Sequence, residues 1–95
     1  MIHVIAHIYP AKGKEELIQR ILEELIPPTR AEDGCIRYDL CRNLDRTDEF
    51  TFIEEWDTRD SLTAHLETRH FLEAGEKQQR HLAKPTEIKV LSLVQ

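Results

Sequence analysis

The chain has 95 residues, a length typical of one domain, and we treat residues 1–95 as a single unit. Hydrophobic residues make up 40% and charged residues 33%, which is the composition of a folded domain rather than a disordered segment. Acidic residues outnumber basic ones by 18 to 13, and no Lys/Arg cluster interrupts the net charge of −5, so nucleic-acid binding is not expected. No apolar run approaches the roughly 18 residues of a membrane-spanning helix.

The expected lack of a signal peptide and the positions of the cysteines both favour a cytoplasmic protein. The N-terminal segment lacks the basic start and the small-residue cleavage site of a signal peptide, so we expect none. Cys35 and Cys41 lie in one predicted strand, about 20 Å apart at ~3.3 Å per residue. This distance excludes a disulfide bond within one chain. We expect two small, half-buried apolar side chains instead.

The first part of the chain predicts a strand followed by a helix. Residues 2–9 are rich in β-branched and aromatic types, which are typical of a strand. From residue 14 the apolar residues recur with the period of an amphipathic helix, which the prolines at 27–28 are expected to end. The spacing of Thr29 and Glu32 fits a capping box and predicts one further helical turn. The apolar positions of the long helix are Leu17, Ile18, Ile21, Leu22, Leu25 and Ile26.

The middle of the chain predicts a β-hairpin. Residues 35–42 alternate in polarity, with Ile36, Tyr38 and Leu40 on one face, and predict the second strand. A polar loop separates them from residues 49–56, which predict the third strand. The two runs are close enough along the chain to pair as antiparallel neighbours.

A second helix and a last strand complete the chain. Residues 57–60 offer an N-cap with acidic residues in the first helical turn. The helix is expected to end near Ala83, with Gly75 weakening its middle or marking a break. Residues 86–94 predict the fourth strand. The apolar positions and the histidine that this predicted helix carries are Leu62, His65, Leu66, Phe71 and Leu72.

The order β-α-β-β-α-β predicts an α+β, ferredoxin-like domain: a four-stranded antiparallel sheet with two helices on one face. The first strand, 2–9, carries apolar residues on both faces, and the last strand, 86–94, is similar. Because helices can cover only one face, an apolar surface is left over, and such surfaces usually mark an interface. We therefore predict a homodimer through the sheet face. The alternative is a scatter of exposed hydrophobic residues, which is common.

Glu54 is the first candidate for proton transfer. By the period of two it shares a strand face with Phe50, Phe52 and Trp56. If that face is buried, desolvation raises the pKa of the Glu54 carboxyl toward the range of a general acid or base. The alternative is that Glu54 pairs with an arginine or caps a helix.

His65 is the second candidate, because it lies at the edge of the apolar stripe of its helix and points inward. Histidine exchanges protons near neutral pH, although a half-buried structural role is the alternative. His70, five residues on, lies about 140° round a continuous helix, so the pair does not form a metal-binding fork. His3 and His7 are ~13 Å apart along a strand. We predict no metal site. Tyr38 is able to hydrogen-bond a substrate oxygen or to line a pocket rim.

Five short motifs occur in a recognisable order and spacing along nearly the whole chain. They are Ala11-Lys12-Gly13-Lys14, Asp33-Gly34-Cys35-Ile36-Arg37-Tyr38, Glu54-Glu55-Trp56, Leu62-Thr63-Ala64-His65-Leu66 and His70-Phe71. Together they resemble the antibiotic biosynthesis monooxygenase domain, in its quinol monooxygenase-like branch. The resemblance implies a dimeric α/β barrel, in which two ferredoxin-like sheets pack face to face.

The same resemblance implies an activity. Some members of the family oxidise hydroquinones or polyphenols with O₂ and need no flavin, haem or metal, so no cofactor is expected. The implied substrate is a small aromatic molecule, and His65 or Glu54 is the implied base that deprotonates it. The deprotonated substrate then supplies the electron to oxygen. The substrate-binding candidates are Tyr38, Phe52, Trp56, His70 and Phe71.

Three other functions fit the same scaffold. In an isomerase of a small phosphorylated diketone, His65 and Glu54 would move a proton while an arginine held the phosphate. In a haem-binding or haem-degrading protein, His65 would lie beside Trp56. A non-catalytic dimeric module that binds a small molecule is the fourth possibility, because a fold alone does not determine function.

Overall fold

The computed structural model describes all 95 residues. Its seven elements are β1 (Ile2–Pro10), α1 (Glu15–Arg30), β2 (Cys35–Arg42), β3 (Phe50–Trp56), α2 (Arg59–Leu66), α3 (Arg69–Gln78) and β4 (Leu82–Leu91). The strands form one antiparallel sheet in the order β2-β3-β1-β4, with the helices on one face. This is the predicted α+β ferredoxin-like fold, with its second crossover divided between two helices.

The core lies between the sheet and the helices. Along β3 every second side chain is buried, from Phe50 to Trp56, as the alternation of the sequence predicts. Val4 and Ala6 of β1 pair in register with Glu54 and Phe52 and face the same side. The apolar stripe of α1 packs on this layer, and its buried members are Ile18, Ile21, Leu22 and Leu25.

The prolines at 27–28 do not end α1, which continues to Arg30 and corrects the predicted boundary. The φ of proline is compatible with a helix, and its cost is a missing N–H and crowding of the preceding turn. The carbonyl groups deprived of that N–H belong to Glu23 and Glu24, which are exposed and open to water. The backbone N–H of Ala31 still donates to the Pro27 carbonyl at 3.2 Å.

The separate helical turn predicted from Thr29 and Glu32 does not form. Thr29 is a buried residue in the last turn of α1 and not an N-cap. Glu32 lies in the turn that follows the helix, where its N–H donates to the Thr29 carbonyl at 3.0 Å. Its own carbonyl accepts from the N–H of Cys35 at 3.2 Å, so the turn leads directly into β2.

The second crossover helix breaks at Thr68 rather than at Gly75, which lies inside α3. The Thr68 hydroxyl accepts from the backbone N–H of Phe71 at 3.3 Å and donates to the carbonyl of His65 at 2.8 Å. One side chain therefore ends α2 and caps the start of α3. The break interrupts the helical repeat between Leu66 and Arg69.

The predicted helix end near Ala83 and strand start at residue 86 are also wrong. Helix α3 ends at Gln78 and β4 begins at Leu82, so the strand contains Pro85. Strand β4 is at the edge of the sheet, where a proline N–H is not needed on the outer side. The β1–β4 register shifts near Tyr9, next to this proline.

Strand β2 contains a β-bulge that changes which side chains face the core. Cys35 pairs with Trp56 while Arg37 pairs with Glu55, so Ile36 is an extra residue in the ladder. Ile36 was expected to face the core, yet it is 52% exposed. Cys35 packs against the core in its place.

After the bulge, Tyr38 and Leu40 face the core as predicted. Both cysteines, Cys35 and Cys41, are unpaired and half-buried, as expected. None of the three helices combines the length and apolar character needed to cross a membrane.

Of the three glycines, Gly34 is the one least able to accept a side chain. Its φ is +85°, and a Cβ there would overlap Asp57 Oδ1 and Ser61 Oγ. Gly13 has a similar φ of +83° but open space around it. Gly34→Ala should lower the free energy of unfolding by about 3 kcal/mol, from left-handed strain plus overpacking. Gly13→Ala should cost about 1 kcal/mol, from strain alone.

Urea unfolding of the two variants measures this difference. Because the backbone conformation is common to both positions, the gap between them reports the close approach at Gly34. Equal losses in the two variants would contradict it.

Candidate active site

A cavity of about 530 Å³ lies between the sheet and the helices. Its wall is mostly apolar and combines side chains of β1, α1, α3 and β4. The opening follows from the position of β4 at the sheet edge. Ile88 and Val90 pair with Ala6 and Val4 and face the helix side, yet both remain exposed. The helices leave this edge of the sheet uncovered, and the cavity reaches it.

Tyr38, Glu54 and His65 are polar side chains of this wall, and its other polar residues are Gln78, Gln79, Lys84 and Thr86. Tyr38 and Glu54 are direct partners in the β2–β3 register. His65 comes from α2 and meets the ring of Tyr38 edge-on, with 5.6 Å between ring centroids. Phe52 stacks on Tyr38 at 4.4 Å. The β2–β3 pairing and helix α2 of the second crossover thus bring Tyr38, Glu54 and His65 together in the wall of a mostly apolar cavity.

The carboxyl group of Glu54 is fixed by a hydrogen bond from Trp56. The indole Nε1–H of Trp56 donates to Glu54 Oε1 at 2.9 Å, and both side chains are buried. Burial raises the pKa of the Glu54 carboxyl, the Trp56 hydrogen bond opposes this rise, and the charge of Glu32 adds to it. The predicted alternatives, an arginine partner or a helix cap, are not what the structure shows.

His65 is fixed by contacts on all sides. Its ring lies 4.8 Å from Trp56 and 5.0 Å from Phe71, centroid to centroid. Its Nδ1 is 2.8 Å from Oε2 of Glu32, while Nε2 makes no hydrogen bond with the protein. Burial lowers the pKa of the His65 imidazole, and the hydrogen bond to Glu32 works in the opposite direction.

Glu32 is the residue that the sequence analysis did not single out. It belongs to the turn after α1, more than 30 positions before His65, and was assigned to a capping box. The same Oε2 atom that contacts His65 lies 2.6 Å from Nε2 of His70. Glu32, His65 and His70 place their three ligand-type atoms within 4.8 Å of one another. An acidic residue in a glycine-containing turn was the only signal of this role.

The expected separation of His65 and His70 is therefore wrong. The 140° argument assumed one continuous helix, whereas α2 ends at Leu66 and α3 starts at Arg69. The break at Thr68 turns the start of α3 so that both imidazoles reach one carboxylate.

The seven candidate residues predicted from the sequence divide into those that line the cavity and those that do not. Five of the seven sequence-predicted residues line the cavity, namely Tyr38, Phe52, Glu54, His65 and Phe71. Trp56 lies behind the wall, in contact with Glu54 and His65. His70 lies on the far side of Glu32 and is partly exposed. Burial strongly raises the pKa of the Tyr38 hydroxyl, which keeps it protonated and able to donate.

Comparison with known proteins gives the family. A family model described as "Antibiotic biosynthesis monooxygenase" matches residues 1–77. The chain belongs to this family. The resemblance inferred from its short motifs is confirmed.

Two relatives illustrate the range of the family. "Putative monooxygenase Rv0793" from Mycobacterium tuberculosis is 33% identical over 89 residues, which cover 94% of this chain and 87% of that protein. The uncharacterized protein sll1783 from Synechocystis is 38% identical over 82 residues, which cover 86% of this chain and 55% of that protein. This chain thus spans about half the length of the Synechocystis relative.

Two solved structures superpose closely on this chain. The crystal structure of PA3566 from Pseudomonas aeruginosa has a TM-score of 0.92 at 33% identity and covers 99% of this chain and 94% of that chain. The structure of Rv0793 has a TM-score of 0.93 at 31% identity, covering 99% of this chain and 95% of that chain. The family model and the name of the Rv0793 relative support a monooxygenase at the level of the family.

The buried carboxyl of Glu54 gives a test of the site. Its pKa in the folded chain lies above the unfolded value, so its contribution is present at low pH and is lost as the pH rises through the folded pKa. Glu54→Gln cannot ionise and keeps an oxygen for the Trp56 N–H. We expect the free energy of unfolding of the variant, relative to that of the wild type, to be higher at pH 8 than at pH 4.

Urea unfolding at both pH values measures this change. Glu55→Gln is the matched control, because Glu55 is on the other face of β3, 3.6 Å from Arg37. A Glu54→Gln difference that stays constant with pH would contradict the buried position of the carboxyl.

Proposed function

We propose that the protein is a cofactor-independent monooxygenase that oxidises a quinol or polyphenol-type aromatic molecule with O₂. The observation that supports this proposal most directly is the pair formed by His65 and Glu32. One nitrogen of His65 is occupied by Glu32, and the residue also lines a mostly apolar cavity. A base at the wall of a mostly apolar cavity is what oxidation of a phenol by O₂ requires.

The cavity supports an aromatic substrate by its size and its walls. Its volume of about 530 Å³ falls within the range of small-molecule sites, which is roughly 300–1,000 Å³. Phe52 and Phe71 offer ring surfaces for stacking. The wall contains one lysine, Lys84, whose ammonium lies 4.1 Å over the ring of Tyr9 and 4.0 Å from Glu87. A phosphorylated substrate has less support, because this lysine is already engaged.

The hydrogen bond with Glu32 determines which nitrogen of His65 acts as the base. A carboxylate oxygen accepts, so Nδ1 of His65 carries the hydrogen and donates to Oε2 of Glu32. The neutral ring then has its free electron pair on Nε2. This nitrogen takes the proton from the phenol, and Glu32 stabilises the imidazolium that results. Tyr38 donates a hydrogen bond to the phenolate oxygen.

The oxidation then needs no further redox partner. The phenolate gives one electron to O₂, and the superoxide and the substrate radical combine to form a peroxide on a ring carbon. Loss of the hydrogen from that carbon and cleavage of the O–O bond release water and leave a carbonyl group. In sum, a hydroquinone and O₂ give a hydroxyquinone and water. Glu54, a carboxyl group in the cavity wall, supplies the proton to the departing oxygen.

Substitution of the two paired residues tests the role of the base. His65→Gln should lower kcat for oxidation of a menadiol-type hydroquinone by about 10²–10⁴-fold, the usual contribution of a general base. Glu32→Gln should lower it by a smaller factor, about tenfold or more, because the ring keeps its place but loses the carboxylate. An oxygen electrode measures both rates.

His81→Gln is the control for these variants, because the His81 side chain makes no hydrogen bond or ion pair and is outside the cavity. Its rate should equal that of the wild type. Undiminished oxygen uptake in His65→Gln would refute the assignment of the base.

We also propose that two copies of the chain pair through the sheet face opposite the helices. Ile5 and Ile53 are partners in register at the middle of this face. Charged residues lie toward its margin, where Arg37 is 2.7 Å from Asp39 and 3.6 Å from Glu55. An apolar centre with a polar margin is the usual composition of a protein interface.

A charge at the centre of this face tests the pairing. Ile53→Lys should shift the protein from dimer to monomer, because an ammonium without a partner is costly to bury. Leu44→Lys is the control, since Leu44 is in a loop and 93% exposed. Sedimentation velocity measures both variants. A monomeric wild type, or an Ile53→Lys variant that stays dimeric, would contradict this interface.

A further inference from the structure

We propose that Glu32, His65 and His70 form a binding site for a divalent transition metal ion of the zinc class. Their ligand atoms are the Oε2 of Glu32, the Nδ1 of His65 and the Nε2 of His70, and all lie within 4.8 Å of one another. Two imidazoles and one carboxylate are a common ligand set for zinc in proteins, with a fourth position left for water. Imidazole nitrogen also favours zinc over magnesium or calcium, which prefer oxygen.

Metal binding requires the three ligand atoms to rearrange. The carboxylate oxygen is 2.8 Å from Nδ1 of His65 and 2.6 Å from Nε2 of His70. Ligands bound to zinc at about 2.0–2.1 Å are roughly 3.3 Å from each other in a tetrahedral arrangement. The carboxylate oxygen must therefore move about half an ångström or more away from each nitrogen, and the two nitrogens, which lie within 4.8 Å of each other, must settle at about 3.3 Å. Glu32 in a turn and His70 in the first turn of α3 are the ligands most able to move.

The site has a route to solvent. The side chain of His70 is 26% exposed and that of Glu32 is 12% exposed, whereas His65 is only 1% exposed. An ion therefore reaches the carboxylate from the surface, next to His70, and contacts His65 last. The site is on the opposite side of His65 from the cavity, so metal and substrate approach the same ring from different directions.

Metal binding changes the proton on His65 without changing its charge. In the absence of metal, Nδ1 carries the hydrogen and donates it to Glu32. A metal ion takes the electron pair of Nδ1, so the hydrogen moves to Nε2 through solvent exchange. Nε2 then donates and no longer accepts. This consequence rests on the proposed function: bound Zn²⁺ removes the base from the cavity and inhibits the oxidation.

Cobalt is the probe for the site, because bound Co²⁺ absorbs visible light when its coordination is low and protein nitrogen is among its ligands. We expect tag-free, chelator-treated protein to develop this absorption to one equivalent of Co²⁺, and one equivalent of Zn²⁺ to abolish it. His70→Ala and Glu32→Gln should weaken the affinity for Co²⁺ on the order of 100-fold or more. His81→Ala, which removes a histidine elsewhere, should bind as the wild type does.

Each outcome decides the proposal. Failure of the wild type to give the absorption, or equal Co²⁺ affinity in His70→Ala and His81→Ala, would overturn the metal site. Melting curves recorded in chelator show whether each variant is folded. If His70→Ala is not folded, Glu32→Gln, which keeps the shape of the side chain, tests the site instead. Oxygen uptake with Zn²⁺, relative to the same variant in chelator, is a separate measurement. Co²⁺ binding without inhibition would support the metal site and contradict only the base assigned to His65.

Discussion

One carboxylate oxygen connects three segments that are far apart in the sequence. Oε2 of Glu32 contacts the imidazoles of His65 and His70, and so joins the turn after α1 to α2 and to α3. A buried polar group without a partner costs about 1–3 kcal/mol, and more when it is charged. The three side chains therefore form a network that is satisfied only when all three segments are in place. The position of His65 in the cavity wall depends on this network.

The chemistry proposed for the protein depends on the rigidity that surrounds His65. Rings from three elements, those of Tyr38, Trp56 and Phe71, contact the imidazole from different sides. Glu32 fixes the remaining direction in the plane of the ring. A side chain held in this way cannot rotate to exchange its two nitrogens. The two nitrogens of the ring therefore keep separate roles: Nε2 serves the substrate, and Nδ1 contacts Glu32 or the metal ion.

The sequence was sufficient for the fold because the strands and α1 express their burial through simple periods. Alternation along β3 identified the buried face with Glu54, and the stripe of α1 identified the face that packs on the sheet. The errors occurred where a single side chain or a single extra residue overrides the period. The Thr68 hydroxyl breaks a helix that the apolar pattern continues through. Exposed carbonyl groups let α1 continue past two prolines.

The site was harder to predict because its residues meet through these exceptions. His65 was found because the stripe of its helix points inward. Glu32 was missed because its partner is supplied by tertiary contact across more than 30 positions. The pairing of His65 with His70 was rejected because the helix was assumed to be continuous, whereas the two imidazoles meet only because the helix is broken. Local patterns report which face of an element is buried, but they do not report which buried groups meet.

The bulge at Ile36 has a consequence for how this chain can change in length. The ladder between β2 and β3 holds Tyr38 opposite Glu54, while the turn before the bulge holds Glu32 opposite the two histidines. The extra residue supplies the length that lets both alignments coexist. Removing it would leave the strands in register and draw the Glu32 turn away from α2. A single deletion on the surface would then preserve the sheet and disconnect the interior network, so this solvent-facing isoleucine adjusts the spacing of groups that it never touches.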